Sequence, residues 1–477
     1  MNQIQLFGLG TQSKSPNLTA AHRLNCFYDI QADNDKTTVA AYGTPGTTLF
    51  STPSINKTYG LHWMESVNKF FVVQRASLYA VNPDGSSVKV FELPNSDFNS
   101  LVSMANNGIE LCFVTGKSAF TYNTTTGITT NLAGIIPYDG NAADTVTFLN
   151  GRFIINRPST GQFFISGLYD GLTWEGLNFA TAESAPDNLI AVVADKGNLA
   201  LLGSSSFELW TDNGDVLFPF SRINAAPSDA GLASRWSLSR AGGYITGLFK
   251  NRTGMLSISI LDGYTVMPIS GPDLDYIINN YTAPTDAIGF GYALNGRHFY
   301  QITFASDQAS WLYSFDSKTW SQLKSWSIPR HRAELGASFG NKFIVSDYET
   351  GELFVLDQDA LTDNGNPIER EITGSHVFAK SRNKTTISRL RVDLEGGVGI
   401  INGQGSDPQI MLQISRDNGH TWGNELWTKY GKQGEYKHRA EWRRLGLARD
   451  WVFKLRVTDP VKFVIIAAII EGKELNK

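Results

Sequence analysis

The stretch Lys69-Phe-Phe-Val-Val-Gln-Arg-Ala-Ser-Leu-Tyr-Ala-Val81 decides the fold. Two apolar runs, Lys69-Phe-Phe-Val-Val73 and Leu78-Tyr-Ala-Val81, are rich in β-branched and aromatic residues and flank a short polar turn, which is the signature of paired strands. The unit recurs as Arg152-Phe-Ile-Ile155 with Gln162-Phe-Phe-Ile165, and as Lys342-Phe-Ile-Val345 with Glu352-Leu-Phe-Val-Leu356. Such units start near Gly60, Val102, Val146, Leu189, Trp236, Ala287 and Arg332, about 42 to 51 residues apart, against roughly 40 to 50 for a four-stranded propeller blade. One blade cannot bury both faces of its sheet, whereas a ring of them can. The spacing predicts an all-β chain built on a six- or seven-bladed β-propeller; a pair of β-sandwiches is the alternative that regular spacing leaves open.

Outward from this repeat the texture changes at both ends. The first fifty residues carry Cys26-Phe-Tyr-Asp-Ile30 and Thr44-Pro-Gly46, which read as an extended arm and a turn able to supply the strand that closes the ring. Residues Asp357 to Ile372, with Asp363-Asn-Gly-Asn-Pro367, are polar and turn-rich and mark a boundary. Beyond it, Thr386-Ile-Ser-Arg-Leu-Arg-Val-Asp-Leu394, Gln409-Ile-Met-Leu-Gln-Ile414 and Val452-Phe-Lys-Leu-Arg-Val457 alternate as half-buried strands over about 100 residues, the size of one β-sandwich. The expected division is an arm and ring-closing strand at 1–55, a β-propeller at 56–372 and a C-terminal β-sandwich at 373–477.

Composition bounds the function. A chain of 477 residues is too long for one ordinary core unless it is a repeat, and 45 glycines with 12% aromatics suit many tight turns between short strands. The longest apolar segment, Val461 to Ile470, is about half a membrane span and is interrupted by Lys462, so a buried strand is expected and no membrane insertion. The N-terminus lacks the basic and apolar regions of a secretory signal, which implies synthesis in the cytoplasm. Two cysteines, Cys26 and Cys112, sit among apolar neighbours and read as buried thiols. A net charge of −4 gives no global attraction to nucleic acid.

The sharpest local motif is Ser415-x-Asp417-x-Gly419-x-Thr421-Trp422, the aspartate box of sialidase-type propellers, with partial versions at Asp170-Gly-Leu-Thr-Trp174 and Ser314-Phe-Asp316-Ser-Lys-Thr-Trp320. Asp and Ser cap turn amides, Gly takes the positive-φ position and Trp plugs between sheets, so the box is a hairpin device. A sialidase also needs clustered arginines, a Tyr nucleophile and a general acid spread over the blades. Here the arginines gather instead at Arg439, Arg443, Arg444, Arg449 and Arg456. His62, His298, His331 and His438 show no metal-ligand spacing, and Gly396-Gly-Val-Gly399 lacks the Lys-Ser/Thr of a phosphate loop. Asp212-Asn-Gly-Asp215 beside Phe218-Pro-Phe220 reads as a hairpin before a binding loop. No catalytic residue, cofactor or metal is expected. Arg439, Trp442, Arg443, Arg444, Arg449 and Trp451 suit either phosphate and base stacking or a protein interface; the acidic balance favours the interface.

The order Asn25-Cys-Phe-Tyr28, Tyr42-Gly-Thr-Pro-Gly46, Phe207-Glu-Leu-Trp210, Phe218-Pro-Phe220 and Asn295-Gly-Arg-His-Phe-Tyr300 resembles the packaged-DNA stabilisation proteins of short-tailed phages. Leu361-Thr-Asp-Asn-Gly365, Ser415 to Trp422, and Arg439-Ala-Glu-Trp442 through Asp459-Pro460 extend the resemblance over nearly the whole chain, the terminal segment being its most specific part. It implies a structural, non-enzymatic virion protein that forms a homo-hexameric tail nozzle below the portal and its head-to-tail adaptor. Such a ring extends the channel for passing double-stranded DNA, holds the packaged genome, and meets the tail needle and the tailspike or fibre proteins. The competing readings are a carbohydrate-binding or sialidase-like propeller, which would cleave or bind glycans, and a sequence-independent DNA clamp, whose binding would fall steeply with salt.

Overall fold

The computed structural model describes residues 2–4, 15–30, 39–94, 100–138, 142–182, 185–215, 218–223, 230–398 and 400–475. Lys69–Gln74 pairs antiparallel with Thr58–Met64 on one side and Ser77–Val81 on the other, with Ser87–Glu92 outermost. Phe70, Phe71, Val72 and Val73 are all buried. Phe70 and Val72 pack on Phe339 and Ile344, while Phe71 and Val73 pack on Leu111 and Phe113 of the next sheet. A strand covered on both faces reads as a continuous apolar run, and that is why alternation is missing there.

The ring has seven blades. Their second strands are Lys69–Gln74, Glu110–Val114, Arg152–Asn156, Asn198–Gly203, Tyr244–Asn251, Arg297–Phe304 and Lys342–Asp347. In four blades the hairpin leading into this strand is a two-residue turn with both residues at positive φ: Asn150-Gly151, Lys196-Gly197, Gly242-Gly243 and Asn295-Gly296. Such turns match the right-handed twist of the flanking strands and make a tight register possible. Hydroxyls stitch the innermost strands together: Val192 N–H donates to Thr145 Oγ1 (3.0 Å), Ala194 N–H to Thr147 Oγ1 (3.1 Å) and Gly291 N–H to Ser239 Oγ (2.9 Å). The single α-helix among the described residues, Pro272–Asn279, buries Leu274 and Ile278 against the core between the fifth and sixth blades.

Gly46–Ser51 pairs antiparallel with Leu353–Asp357 and is the fourth strand of the seventh blade, so an N-terminal strand closes the ring. Lys57 Nζ reaches Glu334 Oε2 at 2.8 Å across the same seam, and Glu334 also receives the buried Arg330.

The sandwich does not stand apart from this ring. One of its sheets runs Cys26–Ile30, Val39–Gly43, Val464–Glu474, Thr385–Leu394, Ala440–Ala448, with Asn2–Ile4 also lying against Val464–Glu474. In the other, Arg370–Thr373, Asp450–Val457, Gln409–Ser415 and Leu426–Lys429 are neighbours. His22–Leu24 pairs antiparallel with Arg370–Thr373 and parallel, at Leu24 and Gln322, with the last strand of the sixth blade. Blade and sandwich thereby share one sheet of ten strands. Arg370–Thr373, which starts inside the turn-rich stretch that the sequence reads as the boundary, is thus a sandwich strand, so residues 370–372 belong to the sandwich and not to the propeller as expected. Cys26, Tyr28 and Ala41 of the arm lie in the sandwich core beside Leu390, Trp442, Trp451 and Phe453. The arm does more than close the ring, because it also builds part of the second domain.

Candidate protein interface

The aspartate box folds as the turn after Gln409–Ser415, one of the sandwich strands. Ser415 Oγ–H donates to Asp417 Oδ1 (2.7 Å) and accepts from Gly419 N–H (2.8 Å); Asp417 accepts from the amide (2.9 Å) and hydroxyl (2.6 Å) of Thr421. Those donors hold the Asp417 carboxyl well below the usual carboxylate range. Gly419, at φ +89°, packs against Ala20 and Pro16 of the arm, and His420 lies 3.2 Å from Asn17 Oδ1. The motif clasps arm to sandwich. Trp422 is half-buried beneath Lys454, whose Nζ sits 4.2 Å from the ring centre, instead of plugging between the sheets as expected. In the partial motifs Trp174 and Trp320 do fill the gaps between blades.

The basic stretch divides cleanly. The two tryptophans assigned to the interface are not on the surface: Trp442 is 5% exposed and Trp451 0%, both in the sandwich core. Strand alternation explains this, since Trp451, Phe453, Leu455 and Val457 point inward while Lys454 and Arg456 point out. Arg439, Arg443, Arg444 and Arg449 are exposed. Arg439 Nε meets Asp393 Oδ1 at 3.0 Å and Arg443 pairs with Glu441. Arg444, at φ +59°, is the extra residue of a bulge, and neither it nor Arg449 has an ion-pair partner among the described residues. These arginines lie on or beside Ala440–Ala448, an edge strand of its sheet. Across from it runs the other sheet's edge strand, Leu426–Lys429, tied by a bond from Trp442 Nε1–H to Leu426 O (2.8 Å). Trp427 of that strand is 59% exposed, an aromatic at the surface where Trp442 and Trp451 are not. Sequence reasoning missed it because no motif surrounds it; its pairing with Met411 on a strand whose inner face is core is what turns it outward.

A second cluster lies where blade six meets the sandwich. Glu371 Oε2 takes Arg456 Nε at 3.3 Å, and its Oε1 lies 3.4 Å from Lys454 Nζ and 3.7 Å from His22 Nδ1. Arg456 also reaches Glu369 (3.2 Å) and Glu425 (3.1 Å), and Lys324 pairs with Glu369. Burial alone would raise the Glu371 carboxyl, but His22, Lys454 and Arg456 outweigh it and hold the group down at about 2. Three of the four histidine rings are tied to neighbours, and the fourth, His298, is bonded only through its backbone. His62 lies 2.7 Å from Asn106 Nδ2 and is pushed down to about 4 by burial, His438 Nε2 lies 2.9 Å from Lys429 O, His331 is held by Gln301, and the exposed His298 gives its amide to Asp316. Burial pushes the Cys26 and Cys112 thiols up to about 12, which leaves both unreactive.

Against known families, residues 3–361 match the model described as bacteriophage P22 Gp10, β-propeller, and residues 370–473 match bacteriophage P22 Gp10, β-sandwich. The chain belongs to the bacteriophage P22 Gp10 family. The tail hub protein gp10 of Salmonella phage P22 is 23% identical over 341 residues, covering 68% of this chain and 69% of that protein. Among solved structures, virginiamycin B lyase of Staphylococcus aureus covers 65% of this chain and 97% of its own at 12% identity and a TM-score of 0.44. The designed protein Ika8 covers 71% and 98% at 11% identity and a TM-score of 0.39. Neither similarity bears on function. The full aspartate box is a clasp in the sandwich, and the tryptophans of its two partial versions in the blades are core residues between sheets.

Proposed function

We propose that this protein is a structural component of a phage tail that assembles as a homo-hexameric ring, attaches below the portal-adaptor, extends the DNA channel and stabilises the packaged genome. The observation that carries the reading is the match of both domains, in order, to the Gp10 family. The role is mechanical and not catalytic. A propeller locked by an N-terminal strand is stiff and offers loops at both ends, and repeated copies around an axis can grip an adaptor on one side and a needle or tailspikes on the other. We assign contact with neighbouring proteins to the sandwich edge carrying Trp427, Arg443 and Arg444, with Arg439 and Arg449 flanking it. Arginine and tryptophan are the side chains that most often anchor interfaces. The chain is synthesised in the host cytoplasm and ends up in the virion.

Electron microscopy of the full-length protein mixed with its portal-adaptor complex tests this. The expected particle carries a six-fold ring below the adaptor. Failure of the protein to join that complex, or its absence from purified virions, would overturn the reading. Replacing Trp427 and Arg444 together with Ala should weaken ring formation at least tenfold in sedimentation without changing the melting temperature.

A further inference from the structure

Residues 166–178 link the last two strands of the third blade, Gln162–Ile165 and Phe179–Thr181. Four large apolar side chains of this link, Leu168, Tyr169, Leu172 and Leu177, are exposed, Leu177 at 88%. Leu168 and Tyr169 lie over the Asn150-Gly151 turn, where a Cβ on Gly151 would meet them at 2.7 and 3.0 Å. Asn107 Nδ2 reaches Tyr169 O (3.4 Å) and ties in the turn of the second blade that carries the exposed Ile109. An apolar patch of this kind on a surface marks a place of contact. The patch is also acidic. No lysine or arginine occurs between Arg157 and Lys196, whereas Asp170, Glu175, Asp187 and Asp195 do. The Thr173 hydroxyl (2.6 Å) and the Leu172 amide (2.8 Å) hold the Asp170 carboxyl below its usual range, and the exposed Glu175 makes no ion pair among the described residues. The flanking cations are turned to other partners: Arg152 donates to Ser166 O (2.7 Å), and Lys196 Nζ lies 5.3 Å from the Tyr244 ring centre.

The complementary surface is on the same chain. The sandwich edge is apolar and basic: Leu426, Trp427 and Leu447 are exposed, and so are Arg444 and Arg449, neither with an ion-pair partner among the described residues. The acids beside it are already engaged, Glu441 by Arg389, Arg391 and Arg443, and Glu425 by Arg456. Leu426–Lys429 is the strand of the ten-stranded sheet farthest from the sixth blade, and the third blade is as far from the sixth as a seven-bladed ring allows. Two different patches that complement each other on one chain make a heterologous contact, which passes from copy to copy and closes into a ring when the rotation allows.

We propose that the outer link of the third blade seats the sandwich edge of a neighbouring copy, with Leu168, Tyr169 and Leu177 taking Trp427 and Leu447, and Glu175 facing Arg444 and Arg449. This contact rests on the reading of the chain as a ring-forming tail protein and names the two surfaces that the ring joins.

Two charge-reversed full-length chains test it, one carrying Glu175→Arg with Leu177→Arg and the other Arg444→Glu with Arg449→Glu. All four positions are exposed, so both variants should keep the parent's melting temperature. Each alone, mixed with the portal-adaptor complex, is expected to assemble on it at least tenfold more weakly than the parent in sedimentation, because every contact around the ring then sets like charges together. Mixed in equal amounts the two should recover assembly, since an alternating ring pairs opposite charges at each contact. As a second measurement, a chain with Leu177→Cys and Trp427→Cys should give a ladder of covalent multimers with a short bismaleimide, and either cysteine alone no ladder. If the parent forms the ring and the reversed chains form it equally well, or their mixture does not recover, or the ladder is missing, this pairing is overturned while the ring stands. If the parent itself never joins the complex, the ring reading falls and this contact with it.

Discussion

Glu371 lies where the arm meets the sandwich, held by His22, Lys454 and Arg456. Its folded-state carboxyl titrates at about 2 against an ordinary value of 4.5. A depressed carboxylate contributes stability that is complete above the unfolded value and disappears as pH falls through the folded one, here between about 4.5 and 2. A shift of this size corresponds to about 3 kcal/mol. Glu371→Gln should therefore melt at a lower temperature at pH 7, and its melting temperature should change less than the parent's between pH 5 and 3. Parallel melting curves across that interval would refute the assignment. The same scale separates core from surface in the basic stretch. Trp442→Ala should destabilise by about 3–5 kcal/mol in chemical denaturation because a buried indole leaves a cavity, whereas Arg443→Ala should stay within about 0.5 kcal/mol.

At the scale of elements, ring closure rests on Gly46–Ser51. A Cβ on Gly46 would lie 2.3 Å from Thr362 O and 2.4 Å from Ala360 O, both backbone atoms that cannot swing aside. Gly46→Ala should therefore cost about 1–3 kcal/mol and lower the melting temperature, while Gly108→Ala, strained in φ but meeting no atoms, isolates the cost of backbone conformation alone. The blades were readable because each residue of a run such as Phe70 to Val73 must be apolar when both sheet faces are covered. The sandwich strands were readable from alternation. What stayed hidden was non-local. Nothing in Cys26-Phe-Tyr-Asp-Ile30 says that its neighbours are Val39–Gly43 and, beyond that, a strand more than 400 residues away. Trp442 and Trp451 looked like surface anchors because composition reports residue type and not which face of the strand a residue occupies. Trp427, with no motif around it, gave no sequence signal at all.

For the whole molecule, the shared sheet of ten strands makes the division into propeller and sandwich one of shape more than of folding. Detaching the sandwich would part His22–Leu24 from either Thr319–Leu323 or Arg370–Thr373, both of which it pairs with, and would strip Cys26, Tyr28 and Ala41 from a core they help fill if the arm stayed with the ring. Neither part can lose the other's strands and keep its buried backbone groups paired. Scanning calorimetry of the intact chain should accordingly show one cooperative transition, with matching calorimetric and van't Hoff enthalpies. A chain beginning at Pro45 keeps the closing strand Gly46–Ser51 but lacks the rest of the arm. It should retain a melting propeller and lose the sandwich's cooperativity, so that a second, lower transition separates. If the shortened chain melts in a single step at the parent temperature, the arm is an ornament and the two domains fold independently of it. If the transitions separate, the arm is the element that makes a ring and its appended sandwich one rigid body, able to transmit a load along the tail axis.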